Sequence, residues 1–192
     1  ASDQARRIAE LVAATPAFAG LRVGLYVGGQ GPAPGEGALM TATSVITDRE
    51  TLRKHPPDIL LTNYKMLDYL MLRPKDRQLW AHNTPTTLRY VVVDELHTFD
   101  GAQGTDLALL LRRLRARLQT PDQHLICAGT SATLGGSSDT TPLRDYARQV
   151  FGVPFDEKAV VTETRQTVGA FLEDAPVNFM FAFRPELGAK LD

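Results

Sequence analysis

The run Tyr90-Val91-Val92-Val93 constrains the fold of this 192-residue sequence more than any other feature. Three consecutive valines show no alternation with polar residues, so 88–93 predicts a strand that is covered on both faces. Other runs of the strand type occur at 21–27, 58–62 and 125–129, and helical patterns separate all of them. Strands that alternate with helices predict an α/β domain, in which helices cover both faces of a parallel sheet.

Helical spacing of apolar residues predicts the segments that connect these strands. They lie at about 3–14, 48–54, 63–72, 76–82, 105–119 and 141–151. The longest of them carries one apolar stripe of leucines, which are Leu107, Leu110, Leu111, Leu114 and Leu118. The segment 28–37 holds five glycines and two prolines and therefore predicts a loop.

Residues suited to ligand binding follow each of the four predicted strands. They are Gly28-Gly29, Thr62-Asn63, Asp94-Glu95 and Ser131-Ala132-Thr133. In parallel sheets ligands bind at the carboxyl ends of the strands. We therefore expect these four places to line one edge of the sheet.

Composition narrows the class of protein only a little. Hydrophobic residues make up 43% and charged residues 22%, which is typical of a globular domain, and the net charge is −1. Because basic residues are in no excess, any nucleic-acid binding must come from local patches. Cys127 is the single cysteine, which excludes an internal disulfide, and its apolar neighbours indicate a buried thiol. The sequence shows neither a membrane-spanning run nor a signal peptide, so we expect a cytoplasmic protein without membrane contact.

The acidic pair Asp94-Glu95 directly follows the most apolar strand, where carboxylates are costly unless metal or water compensates them. Phosphoryl transfer uses such a pair: one carboxylate holds a nucleotide-bound Mg²⁺, and the next orients or deprotonates the attacking water. We assign Asp94 to the metal and Glu95 to the water. The structural alternative is an acidic pair that caps the following turn.

Several short motifs resemble those of superfamily 2 nucleic-acid helicases. Asp94-Glu95-Leu96-His97 is similar to the DExH form of their motif II, and Ser131-Ala132-Thr133 is similar to motif III. Thr62-Asn63-Tyr64 resembles motif Ib, and Gly28-Gly29 stands where these proteins carry a glycine pair against nucleic acid. Residues 3–7 resemble the helix that follows the start of motif Ia.

The sequence around these motifs resembles the Lhr-like branch of bacterial helicases. The similar segments are 60–67, Trp80 and 88–101, and the resemblance runs from about residue 3 to about residue 172. It implies a RecA-like first motor domain over 1–175, which lacks its N-terminal part, and a tail or connection over 176–192. It also implies ATP and Mg²⁺ as cofactors of the intact parent. The implied partner is nucleic acid, and we expect single-stranded DNA. A second motor domain of the same parent chain is the other implied partner.

The resemblance also implies roles for individual residues. Asp94 and Glu95 contact the cofactor, and the catalytic set is Glu95, His97, Ser131 and Thr133. Ser131 and Thr133 are expected to bond to the Asp94–His97 region and so couple the γ-phosphate state to the strand-binding surface; a Ser/Thr turn is the structural alternative. The implied nucleic-acid contacts are Gly28, Gly29, Thr62, Asn63, Tyr64 and Lys65.

Two of the candidate nucleic-acid contacts have plain structural alternatives. The ring of Tyr64 suits stacking on a base, but it equally suits packing at the start of a helix. The basic run 112–117 resembles a nucleic-acid patch, and we interpret it as the solvated side of an amphipathic helix.

The phosphate-binding motif Gly-x-x-x-x-Gly-Lys-Ser/Thr does not occur in the sequence. In the resembling family this loop precedes motif Ia, so we expect it before residue 1. We accordingly expect these residues alone to be inactive and the parent to be an ATP hydrolase. The alternative is a non-catalytic helicase-like module that binds nucleic acid or a protein partner.

Overall fold

A computed structural model describes residues 2–29, 35–131 and 139–162. The strands are β1 (Val23–Tyr26), β2 (Ile59–Thr62), β3 (Tyr90–Val93) and β4 (Ile126–Gly129). The α-helices are α1 (Ser2–Ala14), α2 (Arg49–Lys54), α3 (Tyr64–Leu72), α4 (Gly101–Leu118) and α5 (Thr141–Phe151). Short 3₁₀ helices occur at Pro16–Phe18, Pro74–Trp80, Leu96–Thr98 and Glu157–Ala159. This order confirms the predicted α/β alternation, with 3₁₀ helix where a helix was expected at 76–82.

The strands β1 and β2 form a parallel pair in which β1 is covered on both faces. Tyr26 is in register with Thr62 at the carboxyl end of the pair. On one face the apolar stripe of α1, which includes Ala5 and Ala9, packs against Val23. On the other face Tyr26 packs in a cluster whose buried members include Leu52, Met66, Leu70 and Leu79.

Gly24 allows α2 to approach β1 closely. A Cβ atom at this position would lie 2.3 Å from Leu52 Cδ2 and 2.9 Å from Pro57 Cγ, which is shorter than side chains tolerate. The absence of a side chain at Gly24 is therefore what brings Leu52 onto the strand.

The strands β3 and β4 form a second parallel pair, which is covered on one face only. Val91, Val93 and Cys127 lie on the covered face and pack with a cluster from α4 and α5, whose buried members are Leu107, Leu111, Ala147, Val150 and Phe151. On the other face Tyr90 is 63%, Val92 67% and Ile126 46% exposed. The expectation of a strand covered on both faces is therefore wrong for β3 within the described residues, because its cover comes from one side.

Helix α4 divides its leucine stripe between the β3–β4 cluster and helix α3. Two of the leucines join the β3–β4 cluster, while Leu110, Leu114 and Leu118 pack against Met71 of α3. An ion pair of 2.7 Å between Arg113 and Asp68 lies alongside this contact. The stripe predicted as one surface therefore holds two clusters together.

The arginines of the run 112–117 bond to protein groups. Besides the Arg113 ion pair, Arg112 donates to Gln149 O, Arg115 donates to Asp122 and Arg117 donates to Met71 O. These contacts favour the structural interpretation of the run over a nucleic-acid patch.

Among the described helices, none is both long and apolar enough to cross a membrane.

Candidate functional site

The predicted site residues lie at the carboxyl ends of the two strand pairs. Parallel pairing of β1 with β2 brings Gly28-Gly29 next to Thr62-Asn63, and pairing of β3 with β4 brings Asp94-Glu95 next to Ser131. The two ends are in contact. The ring of Tyr64 meets that of Phe99 edge to face at 5.4 Å, and Gln4 of α1 bonds to Asp94.

Both carboxylate oxygens of Asp94 accept hydrogen bonds from neighbouring side chains. Thr130 Oγ1 donates to Oδ1 at 2.5 Å, and Gln4 Nε2 donates to Oδ2. These bonds, the one from Thr130 first, lower the pKa of Asp94 below its ordinary value of 3.8. An exposed carboxylate with a lowered pKa is ionised at neutral pH, which is the form that binds a cation.

Glu95 has a left-handed backbone, with φ of 53° and ψ of 46°. This conformation costs a residue with a side chain about 1 kcal/mol or more, so the surroundings must hold it. Thr130 provides the hold: its Oγ1 accepts from Glu95 N at 3.0 Å, and its carbonyl accepts from Leu96 N at 2.8 Å. The backbone therefore turns directly after β3. As a result the side chain of Leu96 is buried, while the carboxylate of Glu95 is exposed to solvent.

His97 connects Ser131 with Glu95. Ser131 Oγ lies 3.2 Å from His97 Nδ1, and His97 Nε2 lies 3.4 Å from Glu95 Oε2. When the proton of a neutral His97 is on Nε2, Nδ1 accepts from the serine and Nε2 faces the carboxylate. The structure thus brings together three of the predicted catalytic residues. Thr133 lies outside the described residues.

Thr130 is a site residue that the motif search missed. It bonds to both members of the acidic pair and stands directly before Ser131. Its position as the first residue after β4 was the available signal, because a hydroxyl there faces the end of the paired strand.

Most predicted site side chains at the carboxyl ends of β1 and β2 bond to or pack against other protein groups. Thr62 Oγ1 donates to Tyr26 O at 2.7 Å, and Asn63 caps α3 by accepting from Met66 N at 2.8 Å. Packing of the Tyr64 ring on Phe99 favours its structural role over base stacking. Gly28, Gly29 and Lys65 are exposed, so backbone amides and one ammonium group remain accessible to a phosphate.

A family model described as DEAD/DEAH box helicase matches residues 5–141, a range that contains every predicted site residue. The chain belongs to the DEAD/DEAH box helicase family. The chain is similar to Druantia protein DruE of Escherichia coli, which is 39% identical over 103 residues, 48% of this chain and 6% of DruE. The ATP-dependent helicase Lhr-Core of Methanothermobacter thermautotrophicus is 34% identical over 119 residues, 62% of this chain and 12% of that protein.

This helicase-family chain also resembles a further curated relative and a solved structure. The Lhr helicase/uracil glycosylase of Escherichia coli is 37% identical over 102 residues, 53% of this chain and 6% of that protein. The crystal structure of the DUF1998 helicase MrfA bound to DNA matches with a TM-score of 0.52 at 24% identity, over 79% of this chain and 18% of MrfA. The fold is accordingly RecA-like. The chain spans only 6 to 12% of the length of these three curated relatives.

The donor set of this helicase domain fits Mg²⁺. Proteins bind Mg²⁺ through one or two carboxylates, with waters and substrate phosphates as the other ligands. In the described residues no group of three or more His, Cys, Asp or Glu side chains forms a metal cage. Asp94, which is exposed and ionised, can therefore supply the protein ligand.

Proposed function

We propose that this chain is part of an ATP-dependent nucleic-acid helicase or translocase. In this proposal it supplies the carboxylates that act on Mg²⁺-ATP, together with part of the surface that contacts the strand. The observation that supports it most is the cluster of Asp94, Glu95, His97 and Ser131 at the end of β3 and β4. Four groups suited to phosphoryl transfer meet there on two neighbouring strands.

Each member of the cluster has its own proposed role. Bound Mg²⁺ would neutralise charge on the phosphates, and Asp94 would hold it directly or through water. Glu95, exposed beside it, would orient and deprotonate the attacking water. His97 would relay the state of Glu95 to Ser131, because it lies between the two side chains.

The complete activity needs more polypeptide than these residues. A phosphate-binding loop of the Gly-x-x-x-x-Gly-Lys-Ser/Thr type does not occur in the sequence. We propose that the parent protein supplies this loop and a second motor domain, and that 1–175 belongs to the first motor domain, with 176–192 as a tail or connection. These residues alone would then be inactive, since ATP is hydrolysed between two closing domains.

On the nucleic-acid side we propose single-stranded DNA as the partner, bound in the cytoplasm. The exposed Gly28-Gly29 loop and the Thr62-Asn63 segment lie side by side, where backbone amides can bond to successive phosphates. Such contacts need no basic excess, which agrees with the net charge of −1. The similarity to MrfA, whose structure was determined bound to DNA, supports DNA over RNA.

One observation favours a second candidate, a non-catalytic helicase-like module. Both oxygens of Asp94 already accept hydrogen bonds, from Thr130 and Gln4, so a metal ion must compete with protein donors. In this candidate the acidic pair stabilises the turn after β3, and the domain binds nucleic acid or a protein without hydrolysing ATP.

ATP hydrolysis by the full-length protein, with and without single-stranded DNA, distinguishes the two candidates. We expect strand-stimulated hydrolysis that falls by about a hundredfold or more in Glu95→Gln, the usual effect of removing a general base. Glu157→Gln is the control, because Glu157 is exposed and lies after α5, away from the acidic pair in sequence. Tight strand binding without hydrolysis by the unchanged protein would rule out the motor and leave the binding module.

A further inference from the structure

Arg49, the first residue of α2, holds the loop at the carboxyl end of β1. Its Nη2 atom donates to the carbonyl oxygen of Gly29 at 2.7 Å and to that of Val27 at 3.1 Å. One guanidinium group thus binds the carbonyls on both sides of Gly28. Hydrogen bonds from a charged donor are about twice as strong as neutral ones, so the loop is firmly attached to α2.

These bonds determine the direction of the Gly28 amide. The described peptides include no cis bond, and in a trans peptide the C=O and N–H groups point in opposite directions. Because the carbonyl of Val27 points at Arg49, the N–H of Gly28 points away from it. Both glycines are exposed, and a Cβ at Gly28 would meet only Met66 Cε, at 3.8 Å. Arg49 therefore pairs the oxygens, which repel phosphate, and the Gly28 amide points away from the guanidinium.

Arg49 itself rests on a buried polar cluster. Its Cζ atom lies 5.5 Å from the centre of the Tyr26 ring, and Tyr26 Oη donates to Asp76 Oδ1 at 3.0 Å. Arg53 donates to the same Asp76 oxygen at 2.8 Å and to Tyr26 Oη at 2.8 Å. On the other side of the carboxylate, Arg73 Nε lies 2.7 Å from Asp76 Oδ2.

The cluster gives Tyr26 a fixed position and protonation state. Asp76 is fully buried and Tyr26 nearly so. Burial raises the pKa of Tyr26, so its hydroxyl keeps the proton that it donates to Asp76. The Tyr26 ring that Arg49 packs on is consequently held at its hydroxyl by Asp76 and Arg53. This contact limits the movement of the guanidinium relative to β1.

We propose that Arg49 is a positioning residue for nucleic-acid binding, which presents the Gly28 amide to a phosphate of the bound strand. The proposal rests on the strand-binding role proposed above for Gly28-Gly29. Arg49 bonds to carbonyls of the protein, so it acts on affinity through the shape of the loop. Phosphate contacts of this backbone type position a strand without reading its sequence.

A matched control lies at the opposite end of the same strand. Arg22, directly before β1, donates from Nη2 to His55 O at 2.8 Å and from Nη1 to Pro56 O at 3.4 Å. Both arginines are half-buried, and both hold the carbonyls of a neighbouring loop. Arg22→Gln therefore measures the general cost of removing such a contact at a place remote from the glycine loop.

The test compares Arg49→Gln and Arg22→Gln in the full-length protein, by fluorescence anisotropy of a labelled single-stranded oligonucleotide over a series of salt concentrations. We expect Arg49→Gln to weaken strand affinity about tenfold, the scale of one lost charge-assisted bond, and Arg22→Gln to stay within about twofold of the unchanged protein. The slope of log affinity against log salt should not change in Arg49→Gln, because the weakened phosphate contact is made by a neutral amide and no cationic contact to phosphate is removed. In Arg49→Gln the strand concentration that gives half-maximal stimulation of ATP hydrolysis should rise, while kcat at saturating strand should not change.

Two results would overturn the proposal. Equal affinities of Arg49→Gln and Arg22→Gln would show that the contact is only structural. A salt slope lower by about one in Arg49→Gln would show that Arg49 contacts phosphate directly. If the unchanged protein binds no strand at all, the proposed function fails before any variant is compared, so the two failures are distinguishable.

Discussion

The two parallel strand pairs differ in burial although their sequences are similarly apolar. In β1, Val23 and Tyr26 are 0% and 1% exposed, whereas in β3 Val92 and Tyr90 are 67% and 63% exposed. The residue types and the secondary structure are the same, so strand propensity does not decide the difference. The packing layers decide it: α1 and α2 lie on opposite faces of β1, while α4 and α5 both pack on one face of β3.

The comparison also separates stability from chemistry. The β1–β2 pair is joined through Tyr26 to the buried charge cluster around Asp76, whose members bond to one another. The half-covered pair ends in the exposed carboxylates of Asp94 and Glu95. Parallel sheets are ordinarily covered on both faces, so we expect β3 and β4 to be the less stable region of the described fold.

The largest expected contrast is between two aspartates, one in each region. Asp76→Ala leaves Arg53 and Arg73 without their buried partner and should lower the free energy of unfolding by about 3–5 kcal/mol. Asp94→Ala removes two bonds of an exposed side chain and should cost about 1 kcal/mol. Urea unfolding of the two variants measures both values. Similar losses would contradict the division into a stabilising and a chemical region.

A second contrast uses two valines, one in each parallel pair. Val23→Ala deletes two fully buried methyl groups and should cost about 2 kcal/mol of unfolding free energy. Val92→Ala should cost less than about 0.5 kcal/mol, since its side chain is largely exposed. The same denaturation experiment tests both. A large loss at Val92 would mean that the open face is covered in solution.

The smallest expected effect concerns the pH dependence at Asp94. Its lowered pKa in the folded state contributes stability above its ordinary value of 3.8, and this contribution is lost as the pH falls through the lower folded value. Thr130→Val removes the main cause, so the pKa of Asp94 should rise and the unfolding free energy at neutral pH should fall by about 1 kcal/mol. NMR titration of Asp94 measures the pKa, with Thr130→Ser as the control that keeps the hydroxyl. An unchanged pKa in the valine variant would assign the shift to Gln4.

Local patterns predicted the elements well and their ends less well. Helix α4 was expected at about 105–119, yet it begins at Gly101. A Cβ at Gly104 would lie 2.6 Å from Phe99 O and 2.9 Å from Tyr146 Oη. Gly104 therefore lies inside the helix, where the backbone closely approaches its neighbours. From the sequence alone, a glycine at such a position cannot be distinguished from a glycine in a turn.

The candidate site was predictable where motifs name its residues and not where distant contacts build it. Asp94 and Glu95 were identified from their position after an apolar strand, and His97 and Ser131 from the resemblance to helicase motifs II and III. Thr130 and Arg49 were missed, because their partners lie 35 or 36 and 20 or 22 residues away in the chain. The buried position of Asp76 was missed for the same reason.

The sequence by itself determined the α/β alternation, the family and the chemical groups at the strand ends. The alternation and the strand-end groups depend on periodicity and residue type within a few neighbouring positions, where backbone geometry acts directly, and the family follows from the resemblance of the motifs. Only the tertiary structure decided that Val92 is exposed while Val23 is buried, that Thr130 bonds to Asp94, and that Arg49 holds the glycine loop. Burial and hydrogen bonding of this kind depend on elements that are remote in the chain and meet only after packing, so no local pattern encodes them.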